Sequence, residues 1–326
     1  MPEQKPFLDV AVGVMINTEG EVLLAQRPKD KSWSGWWEFP GGKIESGETP
    51  KEALIRELKE ELGVNITAAT SWVRFDYEYP KTKVRLAFFL VTAWDGAPKG
   101  LEGQRFAWTK PEQAADLGDL LPASLLPISW LSLSPFYVIT PELNEHCTAE
   151  DLSAYLDQAM TKGAHLFQFR QPKWPKGPAC KELKSIFEEL LAQCRLRGAK
   201  LLINSIHPKA WWQLADGVQL RADDAVQLEE RPIPETKLLG ISTHNLADVL
   251  YAQMLGADFI VLGHVKNTTS HPGDEPLGWL NFEAMAKEAA CPVYAIGGLS
   301  PDELSTARKH NAHGIAGISA FKGNTN

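Results

Sequence analysis

Gly41-Gly42-Lys43-Ile44-Glu45-Ser46-Gly47-Glu48-Thr49-Pro50-Lys51-Glu52-Ala53-Leu54-Ile55-Arg56-Glu57-Leu58-Lys59-Glu60-Glu61-Leu62-Gly63-Val64 is the segment from which this chain is best read. It marks both ends of a helix. Thr49 is placed as N-cap, Pro50 suits the first helical position, and Glu52 three residues after Thr49 completes a capping box. Gly63 stands where a left-handed residue closes a helix. Leu54, Leu58 and Leu62 recur every four residues and form the buried stripe. Glu57, Glu60 and Glu61 fall at i, i+3 and i+4, so their carboxylates share one patch. Like charges so placed repel, and the more so when partly buried. Helix stability alone does not select them. A hard divalent cation resolves the repulsion: Mg²⁺ prefers oxygen ligands and keeps waters and substrate phosphates in its shell. Such a site suits water attack at phosphorus. Arg56 is placed to hold one of the glutamates by a bidentate contact.

The pattern Gly-x₅-Glu-x₇-Arg-Glu-Leu-x-Glu-Glu-x-Gly fixes seven glycine or charged positions. At about 7% usage each, chance supplies it roughly once in 10⁸ starting points, which sets aside an ordinary solvated acidic face. Here the sequence resembles the Nudix hydrolase family, with every fixed position of its box filled. The resemblance spans the first 130 residues and looks closest to the MutT-type 8-oxo-dGTP diphosphatases, because Trp37-Glu38-Phe39-Pro40-Gly41-Gly42 runs into the box as it does there. It implies an α/β/α sandwich in which Glu57, Glu60 and Glu61 hold Mg²⁺, with Mn²⁺ as the alternative, helped by a carbonyl of Gly41 or Gly42. It also implies that Glu102 acts near the second metal or the water. Arg27, Phe39 and Tyr79 would meet the nucleotide. The implied reaction is attack at the β-phosphorus of a nucleoside triphosphate.

One position departs from that group. Its base-reading asparagine follows Pro-Ala, whereas this chain has Pro122-Ala123-Ser124. Asparagine offers a purine edge both a donor and an acceptor; serine offers one short hydroxyl. The metal chemistry is therefore written more firmly than the choice of base. Trp33, Trp36 and Trp37 suit base stacking and core packing equally well.

Working outward, 326 residues with 44% hydrophobic and 23% charged side chains describe two ordinary globular domains. We place them at 1–130 and 135–326. The fold class expected is α/β and α+β, a sandwich followed by a (β/α)₈ TIM barrel. Net charge is −8, and it divides evenly about residue 134, so no basic stripe exists to engage a nucleic-acid polymer. No apolar run is long enough to cross a bilayer. The four cysteines are scattered without metal or redox spacing. Met1-Pro2-Glu3-Gln4-Lys5-Pro6 lacks a secretory pattern, and a cytoplasmic protein with reduced thiols is expected. All eight histidines lie at or beyond His146, so chemistry in the first domain must run on carboxylates or a metal.

In the first domain, strands are read at 10–17, 21–26 and 83–94. A helical pattern covers 113–131, interrupted at Pro122 and Pro127. From Phe136 onward short apolar strands alternate with amphipathic segments. The strands are read at 136–140, 165–171, 200–205, 217–221, 238–243, 258–265, 292–297 and 314–319, and eight such units argue for a barrel. The segment 223–237 is a doubtful helix, and the eighth helix is short or missing.

This half resembles the thiamine-phosphate synthase and TenI family. The matching pieces are Gln168-Phe169-Arg170, Ile203-Asn204, Asp216 to Leu220, Gly240 to His244 and Ala295-Ile296-Gly297-Gly298. The resemblance implies a phosphate site at Gly297 and Gly298, a phosphorylated thiazole or pyrimidine as ligand, and His244 as acid–base candidate. The synthase's working groups match less well. Arg-Glu-Lys reads Arg170-Gln171-Pro172, Asn-Asp reads Asn204-Ser205, and Asp224 matches the second metal aspartate but follows Arg221 and Ala222. A lysine is also missing from Thr268-Thr269-Ser270-His271. Expelling pyrophosphate needs cations on the leaving oxygens, so full synthase activity is not expected. The sequence therefore predicts a Mg²⁺-dependent 8-oxo-dGTP pyrophosphohydrolase. The alternative is a hydrolase of thiamine-pathway diphosphates joined to a thiazole- or pyrimidine-phosphate-binding or tautomerase barrel.

Overall fold

The computed structural model describes residues 5–144, 149–268 and 273–321, and it divides into two compact units, Met1–Ser132 and Leu133–Asn326. The first unit contains β1 (Phe7–Met15), β2 (Val22–Gln26), β3 (Trp37–Glu38) and β4 (Gly41–Lys43), followed by α1 (Pro50–Leu62). Then come β5 (Asn65–Glu78), β6 (Lys83–Asp95), β7 (Phe106–Thr109) and α2 (Pro122–Leu131). One sheet has the order β4-β1-β6-β5 and a smaller one the order β3-β2-β7. The central pair, β1 and β6, runs parallel with Val12 opposite Phe88, whereas β4 lies antiparallel on β1 with Gly42 opposite Ala11.

Helix α1 ends where its caps dictate. Thr49 and Glu52 form the reciprocal capping box, and Gly63 takes φ 69° and returns its N–H to Lys59. Leu54, Leu58 and Leu62 are fully buried in a core shared with Ala11, Met15, Leu23 and Val91. Each leucine contributes about 2 kcal/mol by leaving water, and together they fix which face of the helix remains for the glutamates. Thr49→Ala should lower the unfolding free energy of this unit by about 1 kcal/mol, read as a lower denaturant midpoint with the catalytic face unchanged.

Two local readings need correction. Pro122 does not interrupt a helix; it begins α2 at the first helical position, where a missing N–H costs nothing. Pro127 is then carried inside that helix. Strand β5, fourteen residues long, has no counterpart in the sequence reading. Its register against β6 shifts three times between Ile66 and Val73, and each shift breaks the alternation by which a strand is recognised.

The second unit is a closed eight-stranded parallel barrel in the order β10-β11-β12-β13-β14-β15-β8-β9. Its strands are β8 (Phe136–Ile139), β9 (Leu166–Phe169), β10 (Lys200–Asn204), β11 (Gly217–Leu220), β12 (Leu238–Thr243), β13 (Phe259–Gly263), β14 (Val293–Ile296) and β15 (Gly314–Gly317). Among the described residues the covering helices are α3 (Ala149–Thr161), α4 (Lys181–Leu196), α5 (Lys209–Trp212), α6 (Ala222–Ala225), α7 (Leu246–Met254), α8 (Gly278–Ala286) and α9 (Leu304–Lys309). The doubtful segment 223–237 supplies only the single turn α6. After β15 the described chain makes one 3₁₀ turn, Ser319–Phe321. Tyr137, Phe259 and Tyr294 pack edge to face inside the barrel, so its lower interior is filled and its ligand space lies toward the carboxyl ends of the strands.

Candidate functional sites

In the first unit α1 presents its glutamates beside the β4 backbone. Arg56 organises them. Its Nε and Nη2 donate to the two oxygens of Glu48 at 2.8 and 2.9 Å. Nη1 donates to Glu57 at 2.8 Å and Glu60 at 3.2 Å, and Nη2 reaches the Lys43 carbonyl at 3.0 Å. The bidentate partner is thus Glu48, a fixed position of the box to which the sequence assigns no role, rather than one of the three helix glutamates. The Arg56 guanidinium and the Glu45 N–H hold the Glu48 carboxyl down to about 2.

Glu61 turns the other way and accepts the Gly41 N–H at 3.1 Å. Burial pushes its carboxyl up to about 7, against that N–H, and nearby Glu102 and Glu38 add to the rise. Glu102, 41 positions further along, is brought to α1 by two contacts. Gln104 donates to the Glu61 carbonyl at 2.9 Å while its side-chain oxygen takes the Glu102 N–H at 2.9 Å. Leu101 N–H donates to the same carbonyl. Lys31 faces the Glu102 carboxylate at 3.2 Å.

These residues suit a divalent cation. Glu57, Glu60 and Glu61 stand on the last two turns of one helix with Glu102 beside it, and the Glu61 carboxyl is raised chiefly by burial and then by like charge, a state that a cation reverses. Position 42 has no side chain, and a Cβ there would stand 2.2 Å from the Glu57 carboxyl, so the glycine is what admits that carboxylate to the β4 backbone. Among the described residues no three acidic, His or Cys side chains are already drawn around one point, because Arg56 and the Gly41 N–H hold them instead.

Glu61, Glu102, Arg27, Glu38 and Phe39 line one cleft, with room for about one water. Arg27 is ion-paired with Glu38 and donates to the Ser32 carbonyl at 2.7 Å. Phe39 is buried edge-on against Phe88. Tyr79 is half-buried, its phenol pushed up to about 12 chiefly by burial, and its ring centroid lies 6.0 Å from that of Trp33. The backbone of Ala123 approaches the Tyr79 hydroxyl, which brings the start of α2 to this aromatic cluster. Ser124 itself is 5% exposed. Trp37 belongs to the core, donating from its indole to the Leu117 carbonyl at 2.9 Å, whereas Trp33 is exposed.

In the second unit a cavity of about 830 Å³ opens at the carboxyl ends of the barrel strands, lined among others by Gln168, Arg170, Asn204, Arg221, His244, Gly297 and Gly298. A polar chain crosses its floor. Asn204 donates to Gln168, Gln168 to the Tyr137 hydroxyl, Tyr137 to Gln219, and Gln219 to Ser242, at 2.9 to 3.1 Å. His244 is oriented by an Nδ1 contact of 3.0 Å to the Gly263 carbonyl. In the neutral ring that bond leaves Nε2 as the acceptor. Gly297 and Gly298 have φ of 100° and 66°, and a Cβ on either would collide with the loop after β13. Their presence is required by packing whether or not a phosphate binds. Gln171 is buried and bonds to Thr140, Pro141 and the Leu143 N–H, so it ties the loop after β8. Positions 269 to 271 of the Thr268–His271 segment lie outside the described residues.

The comparisons with known proteins follow this division. The NUDIX domain profile matches residues 7–130, and the thiamine monophosphate synthase profile matches residues 136–321. Over 120 residues the chain is 41% identical to the 8-oxo-dGTP diphosphatase of Haemophilus influenzae, covering 37% of this chain and 88% of that protein. The corresponding Escherichia coli enzyme is 42% identical over 101 residues, covering 31% of this chain and 78% of that enzyme. A protein of Aquifex aeolicus described as a putative thiamine-phosphate synthase is 32% identical over 172 residues, covering 53% of this chain and 90% of its own.

Proposed function

This chain belongs to the NUDIX family through its first unit and to the thiamine monophosphate synthase family through its second, and from that membership we propose that it is a Mg²⁺-dependent pyrophosphohydrolase acting on 8-oxo-dGTP. The class of reaction is hydrolysis of a phosphoric anhydride. The observation that carries the assignment is the set of carboxylates on α1 with Glu102 brought to it.

Glu57, Glu60, Glu61 and Glu102 are the groups that would hold the cation, Mg²⁺ or Mn²⁺, with a carbonyl of Gly41 or Gly42. When bound, such an ion neutralises phosphate oxygens and lowers the pKa of a ligated water. The chain's own part is positioning. Arg56 sets the rotamers of Glu57 and Glu60, the Gly41 N–H aims Glu61, and Gln104 locks the Glu102 turn to the end of α1. Water adds to the β-phosphorus, the bond to the α–β bridging oxygen breaks, and the products are the monophosphate and pyrophosphate. Arg27 and Tyr79 would meet the nucleotide, and Ser124, next to the Ala123 whose backbone approaches Tyr79, would stand toward its base. Among the described residues no helix is long and apolar enough to cross a membrane.

The test is a substrate panel with purified protein and MgCl₂. At low substrate concentration 8-oxo-dGTP should yield monophosphate and pyrophosphate at least about tenfold faster than dGTP, a difference of about 1.4 kcal/mol. Equal rates on the two would remove the sanitising role and leave the hydrolase. A preference for an aminopyrimidine diphosphate would favour the second reading, which the presence of the synthase-family barrel on the same chain supports. In that barrel full synthase activity is not proposed, because Gln171 is committed to the backbone and Ser205 stands where the family implies an acidic ligand.

A further inference from the structure

The metal that the synthase family implies at Asp224 does not fit this barrel. Both Asp224 oxygens are taken: Oδ2 accepts Arg221 Nε at 2.7 Å and Oδ1 accepts Arg221 Nη2 at 2.7 Å. Ser205 also donates its hydroxyl to Oδ2, and its oxygen accepts the Arg221 N–H at 3.0 Å. A cation at this carboxylate would have to displace a chelating guanidinium and the Ser205 hydroxyl.

The geometry points instead to an anion site that works without a divalent cation, in which Arg221, braced by Asp224 and Ser205, binds phosphoryl oxygens together with Arg170. Arg221 lines the 830 Å³ cavity, and its contacts with Asp224 engage only two of its five N–H groups. Arg170 lines the same cavity and, among the described residues, makes no hydrogen bond or ion pair from its guanidinium. Burial presses against its charge, Glu142 supports it, and the neighbouring Arg221 opposes it to a lesser degree. Glu142 in turn is occupied by Lys173 at 2.8 Å. Two guanidinium groups lining one cavity, with Arg170 unpaired among the described residues, offer it the donors and positive charge that an anion takes.

The ligand class follows from counting oxygens. A carboxylate has two and is satisfied by one guanidinium fork. Two guanidinium groups placed just after different strands, Arg170 after β9 and Arg221 after β11, suit the three or more oxygens of a phosphoryl or diphosphoryl group. The cavity volume matches a small organic ligand, in keeping with the phosphorylated ligands the family implies; what is particular to this chain is that Arg221 would hold the anion where the family implies a metal.

Calorimetric titration of the full chain with inorganic pyrophosphate in EDTA buffer tests this. Binding is expected in EDTA, and Arg221→Gln and Arg170→Gln should each weaken it at least tenfold while leaving hydrolysis by the first unit unchanged. Circular dichroism and thermal melting identify a variant that has unfolded, in which case the other substitution decides. Binding that is absent in EDTA, or that survives both substitutions, overturns the inference. Neither result bears on the hydrolase assignment, which the substrate panel judges separately.

Discussion

Replacing Glu57 by glutamine should reduce hydrolysis at least about 10³-fold, equivalent to about 4 kcal/mol of barrier, with little change in melting temperature. Glu57 is the helix carboxylate seated most closely: it lies against the Gly42 backbone and receives Arg56 Nη1 at 2.8 Å. An amide of the same shape keeps one oxygen for Arg56 but carries no charge for a cation. Its other end presents donors where an acceptor is needed. Helix α1 should remain, because its stability lies in the leucine stripe and caps. Initial rates at saturating MgCl₂ give the result. Turnover within tenfold of the unmodified chain would remove Glu57 from the catalytic set and with it the reading of the site.

Two adjacent glycines provide the second large effect. At Gly42 an added Cβ would meet the Glu57 carboxyl at 2.2 Å, and φ there is not in the left-handed region. The backbone therefore accepts alanine, and the end of a flexible side chain must move. Gly42→Ala should cost about 10²-fold in kcat, the usual consequence of misplacing a reacting group by about 1 Å, while the fold persists. At Gly41 the added Cβ would stand 2.2 Å from the Ala11 carbonyl oxygen, with φ at 145°. Backbone cannot yield as a side chain does, so Gly41→Ala should cost about 3 kcal/mol of stability. Kinetics beside thermal melts separate the two: activity without stability is lost in one, stability in the other. Equal melting temperatures for both variants would refute the contrast.

Much of this was legible from the sequence because the relevant signals are local. Caps, stripe and glutamate spacing of α1 all sit within twenty-four residues, and the barrel strands are short apolar runs bounded by helices. What escaped depends on contacts between distant positions or on broken periodicity. Strand β5 lost its alternation to register shifts. The pairing of Arg56 with Glu48 is set by the turn that precedes the helix, and spacing along the helix says nothing of it. Arg221 was noted as a departure from a motif, yet that it would embrace Asp224 required the geometry of β11 and α6. Glu102 was recognised by likeness alone; the Gln104 bridge that delivers it is visible only in three dimensions.

The Arg56 arrangement has a further consequence for how far the first unit's shape would depend on a metal ion. Because a guanidinium already answers three acidic neighbours, the helix carries its own counter-charge and does not depend on a cation for its shape. A divalent cation held by Glu57 and Glu60, as proposed, would compete with Arg56 for those two carboxylates and leave its two bonds to Glu48 in place. A chelator should accordingly silence the enzyme and leave its architecture standing.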